Sequence, residues 1–247
     1  MTEHRSPELP RKGAKLLRKP YRLVDLTNEI YQGMPIYPVH QKPYIMVNHT
    51  HAESVERLGA QMPFRSHNLL MSEHTGTHTD AIFEYDEHGP SLSESPLEFY
   101  YGPAICWDVS HVRYPDYITA DVLREAEARA DVKIREGDIV LLYTGHNERT
   151  WPRDEYLKNY TGLSTDGAEW LAERGVINIG IDGVSIDHYE STDDRAHVVC
   201  GRYQIVNTEG LANLGAVKGM RFQFHGLPLR IRNGTGSPVR AVAVLTE

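Results

Sequence analysis

Short runs of apolar residues, alternating or continuous, predict more strands than helices along this chain. Two segments carry apolar residues at helical spacing instead: 119–130, which opens on Thr119, and a segment that begins at Ser164 and is stopped by Gly175. The predicted strands are 21–26, 43–47, 67–71, 104–109, 138–143, 176–181, 220–229 and 239–245. No internal repeat or low-complexity linker divides the chain, so we predict one mixed α/β domain.

The two ends of the predicted domain have distinct compositions. Residues 1–19 mix Pro, Lys and Arg without apolar periodicity. This is typical of a tail that is flexible or that lies against a partner chain. We therefore place the folded domain at 20–247. Near the other end, the glycine-rich segment 233–238 predicts a turn that separates the last two strands.

Composition and charge narrow the classes of function. With 247 residues, 40% of them hydrophobic, the chain can bury a full core. Its formal charge is −8 and no basic stripe offers phosphate neutralisation, which argues against nucleic acid as a partner. No apolar signal core and no run of about 18 apolar residues occurs, so we expect no membrane association. Cys106 and Cys200 lie far apart; we predict buried free thiols and a cytoplasmic protein.

The segment from His74 to Asp80, His-Thr-Gly-Thr-His-Thr-Asp, packs two imidazoles and a carboxylate around Gly76. These donors suit borderline divalent ions such as zinc or manganese. In an extended segment His74, His78 and Asp80 would share one face, because they are even steps apart. The alternative is a polar turn whose histidines only form hydrogen bonds with neighbours, but three donors at this spacing favour a metal site.

His-x-Gly-Thr-His-x-Asp resembles the signature of the metal-dependent cyclase family, which includes bacterial kynurenine formamidases and isatin hydrolases. The resemblance implies a single mixed β-sheet or barrel-like domain with flanking helices, of the swivelling β/β/α type. It also implies a homodimer or homotetramer in which a neighbour's N-terminal segment often completes the active site. Further matching segments, in order, are 24–27, 35–38, 102–104, 135–138, 180–182, 227–229 and 236–241.

The resemblance also implies a set of metal ligands. The two histidines and the aspartate of the motif bind metal in such proteins, which corresponds to His74, His78 and Asp80, with Asp80 able to bridge two ions. Farther along, the family uses a His and a Glu twelve positions apart, as His197 and Glu209 are here. Taken alone, this second pair would be read as surface or capping residues. We expect one or two ions per chain, zinc first and manganese as the alternative.

One position departs from the family pattern. Formamidases carry a further His four residues after the motif aspartate as general acid and base, and this chain has Glu84 there. A carboxylate can do the same work when burial and a nearby metal adjust its pKa. Alternatively, Glu84 ligates metal or is a solvated loop acid, and His88 can reach the site from the next turn. The substitution argues against a standard formylkynurenine hydrolase.

Residues that contact substrate are harder to read from the sequence. Tyr37 stands where the family places an aromatic residue against the substrate, although a core tyrosine is an equal alternative. His225 either adds a polar contact to the pocket or packs between strands. Trp151 and Tyr156 are candidates to line the pocket, and we expect Arg240 to anchor the terminal strands through a carboxylate.

Together these features predict a metal-dependent hydrolase that uses an activated water molecule. The bond that it cleaves would be the C–N bond of an N-formyl or cyclic amide, or the ester bond of a lactone. The substrate would be a small aromatic or cyclic metabolite. One alternative is a metal-assisted cyclase or dehydratase in which Glu84 removes a proton from carbon. Another is a non-catalytic small-molecule-binding protein that has lost the usual catalytic histidine. The sequence does not identify the substrate.

Overall fold

The computed structural model of the chain describes residues 20–59, 61–193 and 195–246. The predicted tail, 1–19, lies outside the described residues. The strands are β1 (Tyr21–Asp25), β2 (Tyr44–His49), β3 (Ser66–Leu70), β4 (His78–Asp80), β5 (Tyr101–Asp108), β6 (Ile139–Tyr143), β7 (Asn178–Ile181), β8 (Val206–Glu209), β9 (Arg221–His225), β10 (Gly236–Pro238) and β11 (Val242–Thr246). The α-helices are α1 (His51–Glu56), α2 (Ala120–Arg129), α3 (His146–Thr150), α4 (Thr165–Glu173) and α5 (Arg195–Tyr203).

A nine-stranded mixed sheet organises the fold, in the order β1-β11-β9-β5-β6-β7-β8-β4-β10. Strands β5 to β8 run parallel to one another, and the strands on both sides of them pair antiparallel. The sheet curls into a half-barrel with a few helices. This confirms the predicted mixed α/β fold with flanking helices.

Three helices cover one face of the parallel strands. Each of α2, α4 and α5 connects two consecutive parallel strands, and successive crossovers of one hand return to the same side of a sheet. Leu123, Leu171 and Val199 of these helices are buried in one cluster with Val140 and Ile179 of the sheet. Among the described residues, no helix is long and apolar enough to cross a membrane.

The opposite face of the same strands is also buried. Cys106 and Leu141 pack there with Leu26, Phe224 and Ala243. Because both faces are covered, the central strands read as continuous apolar runs in the sequence. Cys106 and Cys200 are both buried free thiols, as predicted.

The predicted ends of two helices are confirmed by their caps. The Thr119 side chain accepts a hydrogen bond from the amide of Val122 at the start of α2. The Ser164 side chain accepts one from the amide of Gly167 at the start of α4. Gly175 adopts a φ of +77° just after α4, a left-handed conformation that favours glycine and ends a helix.

Strand β3 confirms the strand predicted at 67–71 and pairs with β2 in a two-stranded sheet outside the nine-stranded one. One local prediction was wrong. The segment 233–238 is not a turn throughout, because its last three residues form β10 and pair with β4. Such a short strand depends on a partner far away in sequence, which local glycine content does not reveal.

Candidate active site and metal centre

Strands β4 and β8 place four polar side chains on one face of the sheet. His78 lies opposite Glu209 in the antiparallel register, which brings Asp80 opposite Asn207. Because successive strand residues point to opposite faces, Thr79 points away from these four. The result is a compact group of one imidazole, two carboxylates and one amide on the surface of the two strands.

His74 reaches this group from a turn, not from the strand. The backbone between His74 and β4 is left-handed at Gly76, with φ of +68°, so the predicted extended segment holds only from His78 onward. The His74 ring lies against Gly236, where a Cβ atom would approach ring atom Cε1 to 2.5 Å. Its Nδ1 lies 2.8 Å from Asp80 Oδ1, and its Nε2 lies 3.1 Å from Thr235 Oγ1.

His74, His78 and Asp80 form a first triad whose candidate ligand atoms lie within 4.8 Å of one another. His78 Nδ1 lies 2.9 Å from the carbonyl oxygen of Gly76, so Nδ1 carries the proton and donates it. The other ring nitrogen, Nε2, faces Asp80 Oδ1, at 3.5 Å. Burial lowers the pKa of His74, but the hydrogen bond and charge of Asp80 outweigh it and raise that pKa to about 9.

Asp80, His197 and Glu209 form a second triad, also within 4.8 Å. His197 comes from α5, and its Nε2 lies 3.2 Å from Glu209 Oε1 and 3.9 Å from Asp80 Oδ2. Burial alone would lower the pKa of His197, but hydrogen bonds to Asp187, Asp80 and Glu209 hold it well above the usual range. The structure thus brings His197 and Glu209 together with the motif.

Sequence reasoning missed two residues that hold these ligands in place. Asp187 accepts a hydrogen bond from His197 Nδ1 and a second, 2.7 Å long, from the amide of Ala196. A carboxylate on the far nitrogen of a histidine fixes its tautomer and orientation. Asn207 donates to Asp80 Oδ2 over 2.6 Å and to Glu209 Oε1 over 3.1 Å. Its even spacing from Glu209 on one strand was the signal available in the sequence.

Both triads open onto a cavity of about 680 Å³. The structure places Tyr37, Trp151 and Tyr156 on its wall, where the sequence had them as candidates. The remaining wall includes Asn28, Ile36, His40, Tyr85, Tyr160 and His188. The site therefore combines a polar floor of ligands with aromatic walls, which suits a flat ring of a small molecule.

Comparison with known proteins supplies the family. The Cyclase family model matches residues 24–188. The chain belongs to the cyclase family. It is 30% identical to the kynurenine formamidase of Salinibacter ruber over 222 residues, covering 89% of this chain and 96% of that protein. It is 29% identical to the kynurenine formamidase of Paracidovorax citrulli over 223 residues, covering 90% of this chain and 96% of that protein. The structure of isatin hydrolase A from Labrenzia aggregata, bound to benzyl benzoate, superposes with a TM-score of 0.82 at 26% identity, covering 92% and 95%.

These relatives are named as amide hydrolases, and the first triad gives this cyclase-family member a candidate metal site. The donor set of the first triad fits a divalent cation, because imidazole nitrogens and a carboxylate oxygen are ligands that zinc and manganese accept. The three side chains are largely buried, and His78 Nδ1 is already engaged by a backbone carbonyl. That arrangement leaves Nε2 free to bind.

Glu84 lies beside the first triad, on a 3₁₀ turn (Ile82–Glu84) that follows β4. Its Oε1 is 3.6 Å from His74 Nε2, and its side chain is 30% exposed at the cavity wall. Burial, followed by the charge of Asp80, raises the pKa of Glu84 to about 9. A carboxyl group that keeps its proton in this position can donate a hydrogen bond into the cavity.

Two of the predicted site histidines lie elsewhere. The His88 side chain is 87% exposed, and within the described chain it does not line the cavity. His225 packs edge-on against Tyr101, with ring centroids 4.5 Å apart, on β9 outside the cavity. The structure therefore brings neither to the site. Arg240 pairs with Asp25, which ties the two terminal strands together as predicted.

Proposed function

We propose that this protein hydrolyses either the C–N bond of an N-formyl or cyclic amide or the ester bond of a lactone, in a small aromatic metabolite. The observation that carries the proposal is the first triad, held at the floor of an aromatic-walled cavity. Relatives named kynurenine formamidase and isatin hydrolase support this choice of bond. The substitution of Glu84 for the usual histidine separates this chain from a standard formamidase.

Aromatic side chains supply the substrate surface. Trp151 meets Tyr156 edge-on, with centroids 5.2 Å apart, and Tyr37 lies on the same cavity wall. Such rings bind a planar ligand through offset or edge contacts. A cavity of about 680 Å³ has room for a fused bicyclic ring or an aryl ketone side chain. We expect the scissile carbonyl to point to the floor, toward His78 and Asp80.

His74, His78 and Asp80 would hold the divalent cation, zinc first and manganese as the alternative. When bound, it would polarise the substrate carbonyl and lower the pKa of a water molecule, which supplies the nucleophile. Asp80 balances the charge of the site, since hydrogen bonds and neighbouring imidazoles keep it ionised. The aromatic walls limit the access of bulk water and so strengthen these electrostatic contacts.

Glu84 is placed to move a proton during the reaction. Its carboxyl oxygen reaches within 3.6 Å of the His74 ring and lies at the cavity wall. The charge of a bound cation would lower the pKa of this carboxyl group, and we propose that the ionised Oε1 then takes a proton from the attacking water and passes it to the leaving nitrogen or oxygen. General acid and base catalysis of this kind contributes about 10² to 10⁴-fold to a rate.

Turnover with a small substrate panel tests the proposal. Protein loaded with zinc or manganese should hydrolyse an N-formyl aryl ketone such as N-formylkynurenine, a cyclic amide such as isatin, or an aryl lactone. Chelation should abolish the activity, and readdition of the ion should restore it. In water enriched in oxygen-18, hydrolysis places the label in the product, whereas a cyclase or dehydratase does not. Ligand binding without turnover for any metal would instead indicate a binding protein.

We also propose that the protein is a homodimer or homotetramer. The two-stranded sheet β2–β3 exposes apolar side chains, including Tyr44, Met46, Leu69 and Leu70. An isolated two-stranded sheet is marginally stable in water, and exposed apolar patches mark interaction surfaces. Light scattering after gel filtration should give at least twice the mass of one chain. The substitution Leu70→Glu should shift that mass downward.

We further propose a cytoplasmic location. The support is chemical: Cys106 and Cys200 are both buried free thiols, as expected in a reducing compartment. Fractionation of cells that express a tagged full-length chain tests this location. We expect the tag in the cytoplasmic fraction, and enrichment in any other fraction would contradict the proposal.

A further inference from the structure

The side-chain amide of Asn207 lies at the centre of the second triad. Its Nδ2 is 2.6 Å from Asp80 Oδ2, 3.1 Å from Glu209 Oε1 and 3.4 Å from His197 Nε2. These are the same three side chains that would ligate a second cation. One nitrogen atom therefore stands within or near hydrogen-bonding distance of every member of that triad.

The orientation of this amide follows from its neighbours. An ionised carboxylate only accepts hydrogen bonds, so the NH₂ group must face Asp80 and Glu209. On the other side, Asn207 Oδ1 accepts a hydrogen bond of 3.1 Å from the hydroxyl of Tyr85. Asn207 is fully buried, at 0% exposure, and is held at both ends of its side chain.

A cation in the second triad would compete with this amide for space and for lone pairs. Zinc binds nitrogen and oxygen ligands at about 2.0 to 2.2 Å, so it would need to lie among the atoms that Asn207 Nδ2 already contacts. Glu209 Oε1 also accepts a 2.9 Å hydrogen bond from the amide of Ile186. With these two donors already on that oxygen, little lone-pair capacity is left for a cation.

The amide of Asn207 does not contact the carboxylate oxygens that face the first triad. Asn207 contacts Oδ2 of Asp80, whereas the other oxygen, Oδ1, faces His74 Nδ1 and His78 Nε2. Glu209 is divided in the same way, since its second oxygen, Oε2, lies 3.6 Å from His78 Nε2. The two carboxylates thus give one oxygen each to Asn207 and the other to the side of the first triad.

We propose that this protein binds a single resident cation, at the first triad, and that the amide of Asn207 takes the place of a second one. Asn207 is then a positioning residue: it donates to both Asp80 and Glu209 and so aims their remaining oxygens at the first triad. The inference rests on the proposed function only in that it takes the first triad to hold the catalytic ion.

The experiment counts ions. Metal-free wild type is incubated with excess zinc or manganese and desalted, and bound metal per chain is measured by elemental mass spectrometry. We expect one equivalent. In Asn207→Asp the donor becomes an acceptor of the same shape, which places three carboxylates together, and we expect a second equivalent. Asn159→Asp adds the same charge at an exposed position of the surface and should keep one equivalent.

Anomalous diffraction at the metal edge locates the ions in wild-type crystals and does not depend on the variant folding. A single peak beside His74 and His78 supports the inference. Two fully occupied peaks in wild type overturn it and leave the proposed function intact, whereas no bound metal under excess zinc or manganese overturns both. A folded Asn207→Asp that still binds one equivalent also overturns the role assigned to the amide.

Discussion

The imidazole of His74 occupies the space that a side chain at Gly236 would fill. A Cβ atom there would lie 2.5 Å from one ring carbon and 2.8 to 2.9 Å from both ring nitrogens. Gly236 also pairs with Asp80 across β10 and β4, so the backbone cannot retreat without disturbing a ligand. The edge strand β10 thus sets the position of His74, the first ligand in the motif.

Gly236→Ala should weaken metal binding while the protein stays folded. The added methyl group pushes the His74 ring away from Asp80, and we expect the dissociation constant to rise by about 10-fold or more, as for lost support of a metal ligand. Competition with a chromogenic chelator measures it. Gly102→Ala is the matched control, because its nearest neighbour would be 3.8 Å away. Equal affinity in all three proteins would show that the contact has no bearing on the ligand.

Glu84→Gln tests the proton carrier. The amide keeps the shape of the side chain but cannot exchange a proton in the same way, so we expect turnover to fall by about 10²-fold or more. Metal content should stay at the wild-type level. Glu87→Gln removes an acid whose side chain is 86% exposed and should leave turnover unchanged. If Glu84→Gln turned over like wild type, Glu84 would be only a loop acid.

Asp187→Asn should destabilise the protein through α5. Asp187 accepts hydrogen bonds from both His197 Nδ1 and the amide of Ala196, and a neutral amide cannot serve both as well. Loss of a buried hydrogen bond to a charged group lowers the unfolding free energy by about 1.5 to 3 kcal/mol. Urea denaturation measures it. The exposed pair of Asp193 with Arg195 gives the control: Asp193→Asn should cost less than about 1 kcal/mol. Equal losses would count against a supporting role for Asp187.

Asp182 should make stability depend on pH. Burial raises its pKa to about 6, although hydrogen bonds from the Thr144 hydroxyl and backbone oppose that rise. The folded state therefore binds this proton more tightly than the unfolded chain, and the stabilisation is lost as pH rises from about 4 through 6. The whole effect is of the order of 3 kcal/mol.

Asp182→Asn removes this titration. Unfolding free energies of wild type and variant, measured in urea between pH 4 and pH 8, should therefore diverge. Wild type should lose stability relative to the variant as the pH increases, with most of the change below pH 7. Curves that stay parallel over the whole range would contradict the raised pKa of Asp182.

The sequence predicted those site residues that lie close to one another along the chain, and not those that only the fold brings together. His78 and Asp80 followed from spacing because they lie on one strand, and His74 did not share that geometry because the chain turns at Gly76. His197 and Glu209 come together only because α5 returns the chain to β8 beside β4. Nothing local marks that return, so only the family resemblance identified this pair.

The fold shows the same division. Helices α2 and α4 were predicted with their caps, since capping depends on residues three apart. Strand β10 was missed because its three residues are stabilised by β4, far away in sequence. Asn207 and Asp187 act through side chains from other elements, so their roles depended on the register and packing of the sheet.

The requirement for a cation at the first triad is tested most directly by metal content and turnover measured together. Wild type and His78→Ala are purified without chelator, with the exposed His88→Ala as control. We predict about one equivalent of zinc or manganese in wild type and in the control, and loss of both metal and amide hydrolysis in His78→Ala. Unchanged metal and unchanged turnover in His78→Ala would contradict the proposed site and its chemistry.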